Sequence, residues 1–466
     1  MNKEIKVRDI IKICNGTLIS GDEDDVITTF ERNTKNIKQG DMYIGFKGET
    51  RDGSIFWEEA IKNGAIGCII NDIEIDKESL KKYKDKILIR VEDTVKAIQQ
   101  IATYRRNLYD IPVVAITGSV GKTSTKDIIA SVVNEDYDTL KTEGNLNNHI
   151  GLPITVLGLK EHTAMVVEMG MNHFGEIDVL AKIAKPTVAV ITNIGTSHIG
   201  NLGSRENILK AKLEILNGLK QGGAVVINND NDLLHKWAKE NKDNYKIVTY
   251  GIENKSDFMA YDIKQEENSS TYNIIINNKE YNVKVPVGGM HFVYNSLSSI
   301  AVGNVLNINA KKMLTGIEKI ELTKNRMDII KTNNNITIIN DTYNASYDSM
   351  KAAVEYLGNQ KNERKIAVLG DMLELGKFSR EIHEKVGEEV YKNNINILLT
   401  VGEYSEHIAS KAEEKGFIKE NIFICKTNKE ATDILRNILE PEDIVLVKAS
   451  NSMKLGEIVE NLKNIN

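Results

Sequence analysis

The residues with the clearest chemistry are Gly118-Ser119-Val120-Gly121-Lys122-Thr123, which follow the apolar run Val113-Val114-Ala115-Ile116 and Thr117. An apolar run, a glycine loop, Lys-Thr and an amphipathic stretch over residues 124–134 read as strand, loop and helix. Such a loop cradles phosphate, because glycines let successive backbone N–H groups turn inward at a helix N-terminus. Lys122 would set a cation against the β- and γ-phosphates, and the Thr123 hydroxyl would hold Mg²⁺. The longer G-x-x-x-x-G-K-[ST] pattern is not met, because Ile116 stands where its first glycine belongs. The bland alternative is an ordinary strand–helix turn with a surface lysine. Thr117, Gly118, Ser119, Val120, Gly121, Lys122, Thr123 and Ser124 are the expected nucleotide-binding residues.

Other reactive groups fall at the ends of predicted strands. Glu168 follows the run 164–167, His198 follows the run 188–191 by a polar turn, and Asn145, Asn147 and Asn148 lie in the polar stretch 142–149. In an open α/β sheet, ligands bind outside the carboxyl ends of the strands, so Thr123, Asn145, Glu168 and His198 are expected to converge. Glu168 is either a metal ligand or a solvated charge; His198 is either a ligand or a structural turn. Lys212 is the oddity. Residues 204–219 read as one helix with Ser204 as N-cap, and Ile208, Ala211, Ile215, Leu216 and Leu219 form its apolar stripe. Lys212 sits in the middle of that stripe. A bare ammonium there is costly, so it must snorkel, pair, point into an anion pocket, or be converted into an anion that binds metal. Asn295, near the start of a small-residue helix, either reads an adenine edge or caps.

Three α/β units would position these groups. A chain of 466 residues suggests about three domains. Residues 1–108 read as a small α/β domain. Residues 109–318 alternate strand and helix, which predicts a central P-loop-type parallel-sheet ATPase domain. Residues 319–466 read as a Rossmann-like α/β domain without a G-x-G-x-x-G loop, its strand ends carrying residues 341–344, 370–374 and 448–451. Charge is balanced, 60 basic against 66 acidic residues for a net −6, which argues against nucleic-acid or membrane-surface binding. No apolar run approaches the ~18 residues of a membrane span. The charged first residues do not read as a signal peptide, and Cys14, Cys68 and Cys425 are too scattered for a zinc or disulfide pattern. A cytoplasmic location is expected.

With these residues in view, the chain resembles the Mur ligases over nearly its whole length. The family's T-G-[ST]-x-G-K-[ST] loop is met by residues 117–123, which accounts for Ile116. The string Thr142-Glu143-Gly144-Asn145-Leu146-Asn147-Asn148-His149-Ile150-Gly151-Leu152-Pro153 is similar to the branch that adds D-alanyl-D-alanine. Glu168-Met169-Gly170 matches the family's second-metal segment, and His198 its metal-binding histidine. Ala211-Lys212 matches the family's carbamylated lysine, Asn295 its adenine-side asparagine, and Arg326 and Asp341 its nucleotide contacts from the last domain. Departures are Asn325-Arg326 for Gly-Arg, Ala345-Ser346-Tyr347 for Asn-Pro, Lys448-Ala449-Ser450 for Lys-Gly-Ser, Asn33-Thr34-Lys35 for Asp-Ser-Arg, and Ser54 for His.

The resemblance implies ATP-dependent amide formation through an acyl phosphate. It implies two Mg²⁺ ions held by Thr123, Glu168, His198 and a CO₂-derived carbamate on Lys212, with Lys122, Lys212, His198 and Glu168 as the catalytic set. The substrates implied are UDP-N-acetylmuramoyl-tripeptide, held by the first domain, and D-alanyl-D-alanine. Asn145, Asn147, Asn148, Asn344 and Asp371 are the expected substrate-binding residues. The enzyme is expected to be a monomer. The rivals are a sister amide ligase, including a folate polyglutamate ligase, and a P-loop ATPase that ligates nothing.

Overall fold

The computed structural model describes residues 4–48, 50–266 and 268–463. Its centre is a seven-stranded parallel sheet in the order Phe258–Met259, Lys246–Gly251, Ala224–Asn228, Val188–Ile191, Val113–Thr117, Ala164–Glu168, Thr139–Lys141. Val113–Thr117, Ala164–Glu168 and Val188–Ile191 are buried along their whole length. That is why they read as unbroken apolar runs rather than alternating ones. After Val113–Thr117 the chain runs first to one side of that strand and then to the other. The glycine loop therefore lies where the strand order reverses, the place an open α/β sheet offers to a ligand.

Helix Lys122–Val133 begins two residues earlier than the sequence pattern suggests, with Gly121 as its N-cap at φ +81. It packs against Met290–Val305, and Thr125 donates to Asn295 across the seam at 3.1 Å. Two features depart from the expected alternation. Tyr261–Gln265, Ser270–Ile276 and Lys279–Val285 form an antiparallel three-stranded sheet. Its hairpin turns at Asn277 and Asn278, both at positive φ, as a tight β-turn requires. The helix expected over 204–219 is an α-helix, Arg205–Leu213, followed by a 3₁₀ segment, Glu214–Gly218. The tightening has a cause: the Glu214 carboxylate accepts the Gly175 and Asp178 N–H groups at 2.8 and 3.2 Å. It thereby caps helix Glu176–Ala184. Ser204 caps its own helix, accepting from Asn207 N–H.

The C-terminal sheet has six strands in the order Asp328–Lys331, Thr337–Asn340, Ile444–Lys448, Lys365–Gly370, Ile397–Val401, Ile422–Cys425. All pairs are parallel except the first. The N-terminal sheet orders Thr17–Ser20, Ile87–Arg90, Gly67–Ile70, Met42–Ile44 and Phe30–Glu31, with only Thr17–Ser20 antiparallel. Helix Thr94–Asn107 joins it to the centre. Its buried Arg106 donates to the Ala184 and Tyr109 carbonyls at 2.7 and 2.5 Å, a cation on the carbonyl end of helix Glu176–Ala184. Among the described residues no helix is long and apolar enough to cross a membrane.

Candidate active site

The glycine loop is scaffolded by the turn after the neighbouring strand Val188–Ile191. Asn193 accepts the Val120 N–H on its side-chain oxygen at 2.9 Å and the Ser119 N–H on its main-chain oxygen at 3.0 Å. The Thr192 hydroxyl donates to the Val120 carbonyl at 2.7 Å, and Gly195 N–H donates to Ser119 Oγ at 2.9 Å. Thr117 is fully buried and donates to the Met169 carbonyl. It anchors the loop rather than facing a cavity. Lys122 Nζ donates to the Gly118 carbonyl at 2.8 Å. Burial holds its ammonium below the ordinary lysine pKa; the nearby Glu168 carboxylate works against that fall and Arg326 adds to it.

Two cavities meet at this loop. One, of about 290 Å³, is lined by Ser119 to Thr123, Asn147, Asn148, Glu168, His198, Arg326, Tyr343 and Asn344, among others. The other, of about 490 Å³, is lined by Val120, Gly121, Ser124, Asn295, Arg326, Asp341 and Lys448, among others. A larger groove of about 1220 Å³ holds none of the expected site residues.

Glu168 is 2% exposed at the end of its strand. Its Oε1 accepts from Asn147 Nδ2 at 2.8 Å, while Oε2 is buried without a hydrogen-bond partner. A buried carboxylate oxygen left unmatched costs free energy unless something positive meets it. His198 lies at φ +62 with Nδ1 2.6 Å from Glu374 Oε2. The imidazole beside it holds the Glu374 carboxyl below its usual pKa. Lys212 is 1% exposed, with Ile208, Ala211 and Ile215 buried around it on the helix. Among the described residues it makes no hydrogen bond or ion pair. Burial first, and then the charge of Lys122, push its pKa well below the ordinary lysine value.

The far side of the cleft comes from the C-terminal sheet. Arg326 Nη2 donates to the Thr123 hydroxyl at 2.8 Å, and its guanidinium lies 3.8 Å over the Tyr343 ring. Asp341 pairs with Lys448 Nζ at 2.5 Å. Asn295 lies inside helix Met290–Val305 and does not cap it. Its Oδ1 accepts from Thr125 and its Nδ2 is buried without a partner.

Five expected residues line neither cavity: Thr117, Gly118, Asn145, Lys212 and Asp371. Asn145 is exposed on its turn and lines neither cavity; the turn instead presents Asn147 and Asn148. Asp371 is spent on the backbone, accepting Ser405 and Glu403 N–H groups at 2.7 and 3.1 Å. Tyr343, Glu374 and Asn193 were not singled out. All three follow strand ends, the one signal that pointed to them. Replacing Tyr343 with alanine is expected to raise KM for ATP about 2- to 30-fold, the worth of one cation–π contact. Tyr343→Phe should leave it unchanged. Steady-state kinetics over ATP concentration checks both.

Residues 116–303 match the model of the Mur ligase middle domain, and residues 325–451 that of the Mur ligase, glutamate ligase domain. A Bacillus subtilis protein named UDP-N-acetylmuramoyl-tripeptide–D-alanyl-D-alanine ligase is 37% identical over 459 residues, covering 98% of both chains. The crystal structure of MurF from Acinetobacter baumannii superposes with a TM-score of 0.88 at 28% identity, covering 99% of each chain. MurF from Thermotoga maritima, solved in complex with ADP, gives 0.80 at 27% identity over 93% of this chain and 97% of that one. The three mainly parallel sheets described above thus match known ligases from end to end, and the chain belongs to the Mur ligase family.

Proposed function

We propose that this protein joins D-alanyl-D-alanine to UDP-N-acetylmuramoyl-tripeptide at the expense of ATP, completing the pentapeptide precursor of peptidoglycan. The observation that carries this reading is a cleft where a phosphate loop, a half-unpartnered buried carboxylate and an arginine from another sheet face one another. A carboxylate is a poor electrophile, so it must first take the γ-phosphoryl group of ATP. Phosphoryl transfer needs positioning and charge neutralisation more than covalent help from the protein.

In this reading Lys122 and the loop N–H groups hold the β- and γ-phosphates, Asn295 meets the adenine, and Arg326 and Asp341 approach the nucleotide from the C-terminal domain. Asn147, Asn148 and Asn344 line the side on which the activated tripeptide carboxyl and the dipeptide amine would meet. Residues 1–108 hold the uridine nucleotide, 109–318 the ATP, and 319–466 close over both. Closure excludes water from an intermediate that water would destroy.

The donor set fits two Mg²⁺ ions: Thr123 offers a hydroxyl at the loop, and Glu168 and His198 offer an oxygen and a nitrogen opposite. Bound there, Mg²⁺ would neutralise charge on the transferring phosphoryl group. Among the described residues no three His, Cys, Asp or Glu side chains come together, so a further anionic donor is wanted. Lys212 suits that need. A buried amine without a partner reacts with CO₂, losing a proton to give an N-carboxylate, and Lys212 is buried and, among the described residues, makes no hydrogen bond or ion pair. The enzyme is read as a cytoplasmic monomer.

Phosphate release in the presence of ATP and UDP-N-acetylmuramoyl-tripeptide, with and without D-alanyl-D-alanine, tests the reading. Release is expected to need both acceptor and dipeptide. Stimulation by a different amino donor would point to a sister ligase, and release that ignores both would point to an ATPase that ligates nothing.

A further inference from the structure

His198 is held from outside its own sheet. It lines the cleft beside the loop, and the residue at its Nδ1, Glu374, belongs to the loop after strand Lys365–Gly370 of the C-terminal sheet. The backbones meet as well: Gly200 N–H donates to the Glu374 carbonyl at 3.2 Å. A Cβ on Gly200 would stand 2.6 Å from that oxygen and 2.9 Å from Gly376 N, so the loop comes this close only against a glycine. Glu374 itself is at φ +63. The loop is fastened at its base, where Met372 N–H donates to buried His383 Nε2 at 3.0 Å and Leu373 N–H to Ser450 Oγ at 2.9 Å. A strut of one domain, fastened at its base, thus meets the other through the Glu374 side chain and the backbone of residues 374–376.

The Glu374 side chain is 51% exposed, and an ion pair that open adds little stability. Its effect is on orientation. A carboxylate oxygen 2.6 Å from Nδ1 draws the ring hydrogen to that nitrogen and leaves Nε2 bare to meet a cation. We propose that Glu374 is a positioning residue that sets the ring and tautomer of His198 only when the C-terminal domain is docked. Closure over the substrates and completion of the cation site then become one event. This rests on reading His198 as a metal ligand.

The chain has eight histidines, so a ¹⁵N-histidine correlation spectrum of the full-length protein can be assigned, with His198 identified by its loss in His198→Asn. The wild type is expected to show His198 as the Nδ1–H tautomer. Glu374→Ala is expected to move it toward a mixture and to lower kcat about 10- to 100-fold, with the melting temperature and the KM for D-alanyl-D-alanine unchanged. Glu374→Gln, which keeps an acceptor, should restore most of the tautomer and part of kcat. A wild-type His198 spectrum in Glu374→Ala would overturn the proposal, whether or not kcat falls. Normal turnover by His198→Asn, with the spectral response to Glu374 intact, would overturn the ligand reading instead and leave the orienting contact supported.

Discussion

Replacing Lys122 with alanine is expected to cut ATP-dependent phosphate release about 10³-fold, the scale on which one preorganised cation matters to a transferring phosphoryl group. The loss should fall on kcat as well as on KM for ATP, because charge on the γ-phosphoryl oxygens grows toward the transition state. Folding should survive. The side chain donates only to carbonyls of its own loop, while Asn193 and Thr192 hold that loop independently. Lys122→Arg is not a conservative control, since a planar fork replaces a point charge held by the Gly118 and Ser119 carbonyls. Unchanged phosphate release by Lys122→Ala, measured with both substrates saturating, would mean that the loop does not hold the transferring phosphate.

Removing the Lys212 amine should be as severe, on the order of 10³-fold in product formation, and it separates two meanings of a buried lysine. Lys212→Ala empties space on a packed helix face, so added acetate or propionate should enter and restore part of the rate by supplying the missing carboxylate. Lys212→Met keeps the apolar stem and fills that space. It should be as inactive as the alanine variant and deaf to added carboxylates. It should also be no less stable than the wild type, because it relieves an amine that is buried without a partner. Product formation by either variant at the wild-type rate would remove the N-carboxylate from the mechanism. A rate that falls when dissolved CO₂ is stripped from the wild type, and recovers with bicarbonate, is the matching positive result.

How far the site could be read in advance depends on how far apart its parts lie along the chain. The loop, its strand and its helix are contiguous, and period and glycine spacing locate them to within two residues. Lys212 was marked by its place on a stripe whose apolar partners lie within two turns on either side, and it is buried as that pattern requires. Asn145 and Asp371 show the limit. Both have suitable chemistry near a strand end, yet one faces solvent and the other is consumed by two backbone N–H groups. A short polar side chain near a turn has local uses that compete with ligand binding, and spacing cannot choose between them. The break in the helix after Leu213 is of the same kind, decided by Glu214 capping a different helix.

By itself, then, the sequence determined which segments are strands buried on both faces, where a glycine loop joins a strand to the N-terminus of a helix, and which lysine is misplaced. These depend on neighbours a few residues away, and local sterics and hydrophobic period govern them. Only the tertiary structure decided that Arg326 reaches Thr123 across 203 positions, that Thr125 donates to Asn295 across 170, and that Glu374 lies against His198. The first and last are set by how two separate sheets close on one another, and the second by the packing of two helices of the central unit. No local rule contains that information, because the free energy that fixes it comes from burying whole faces, not from the residues that meet at the rim.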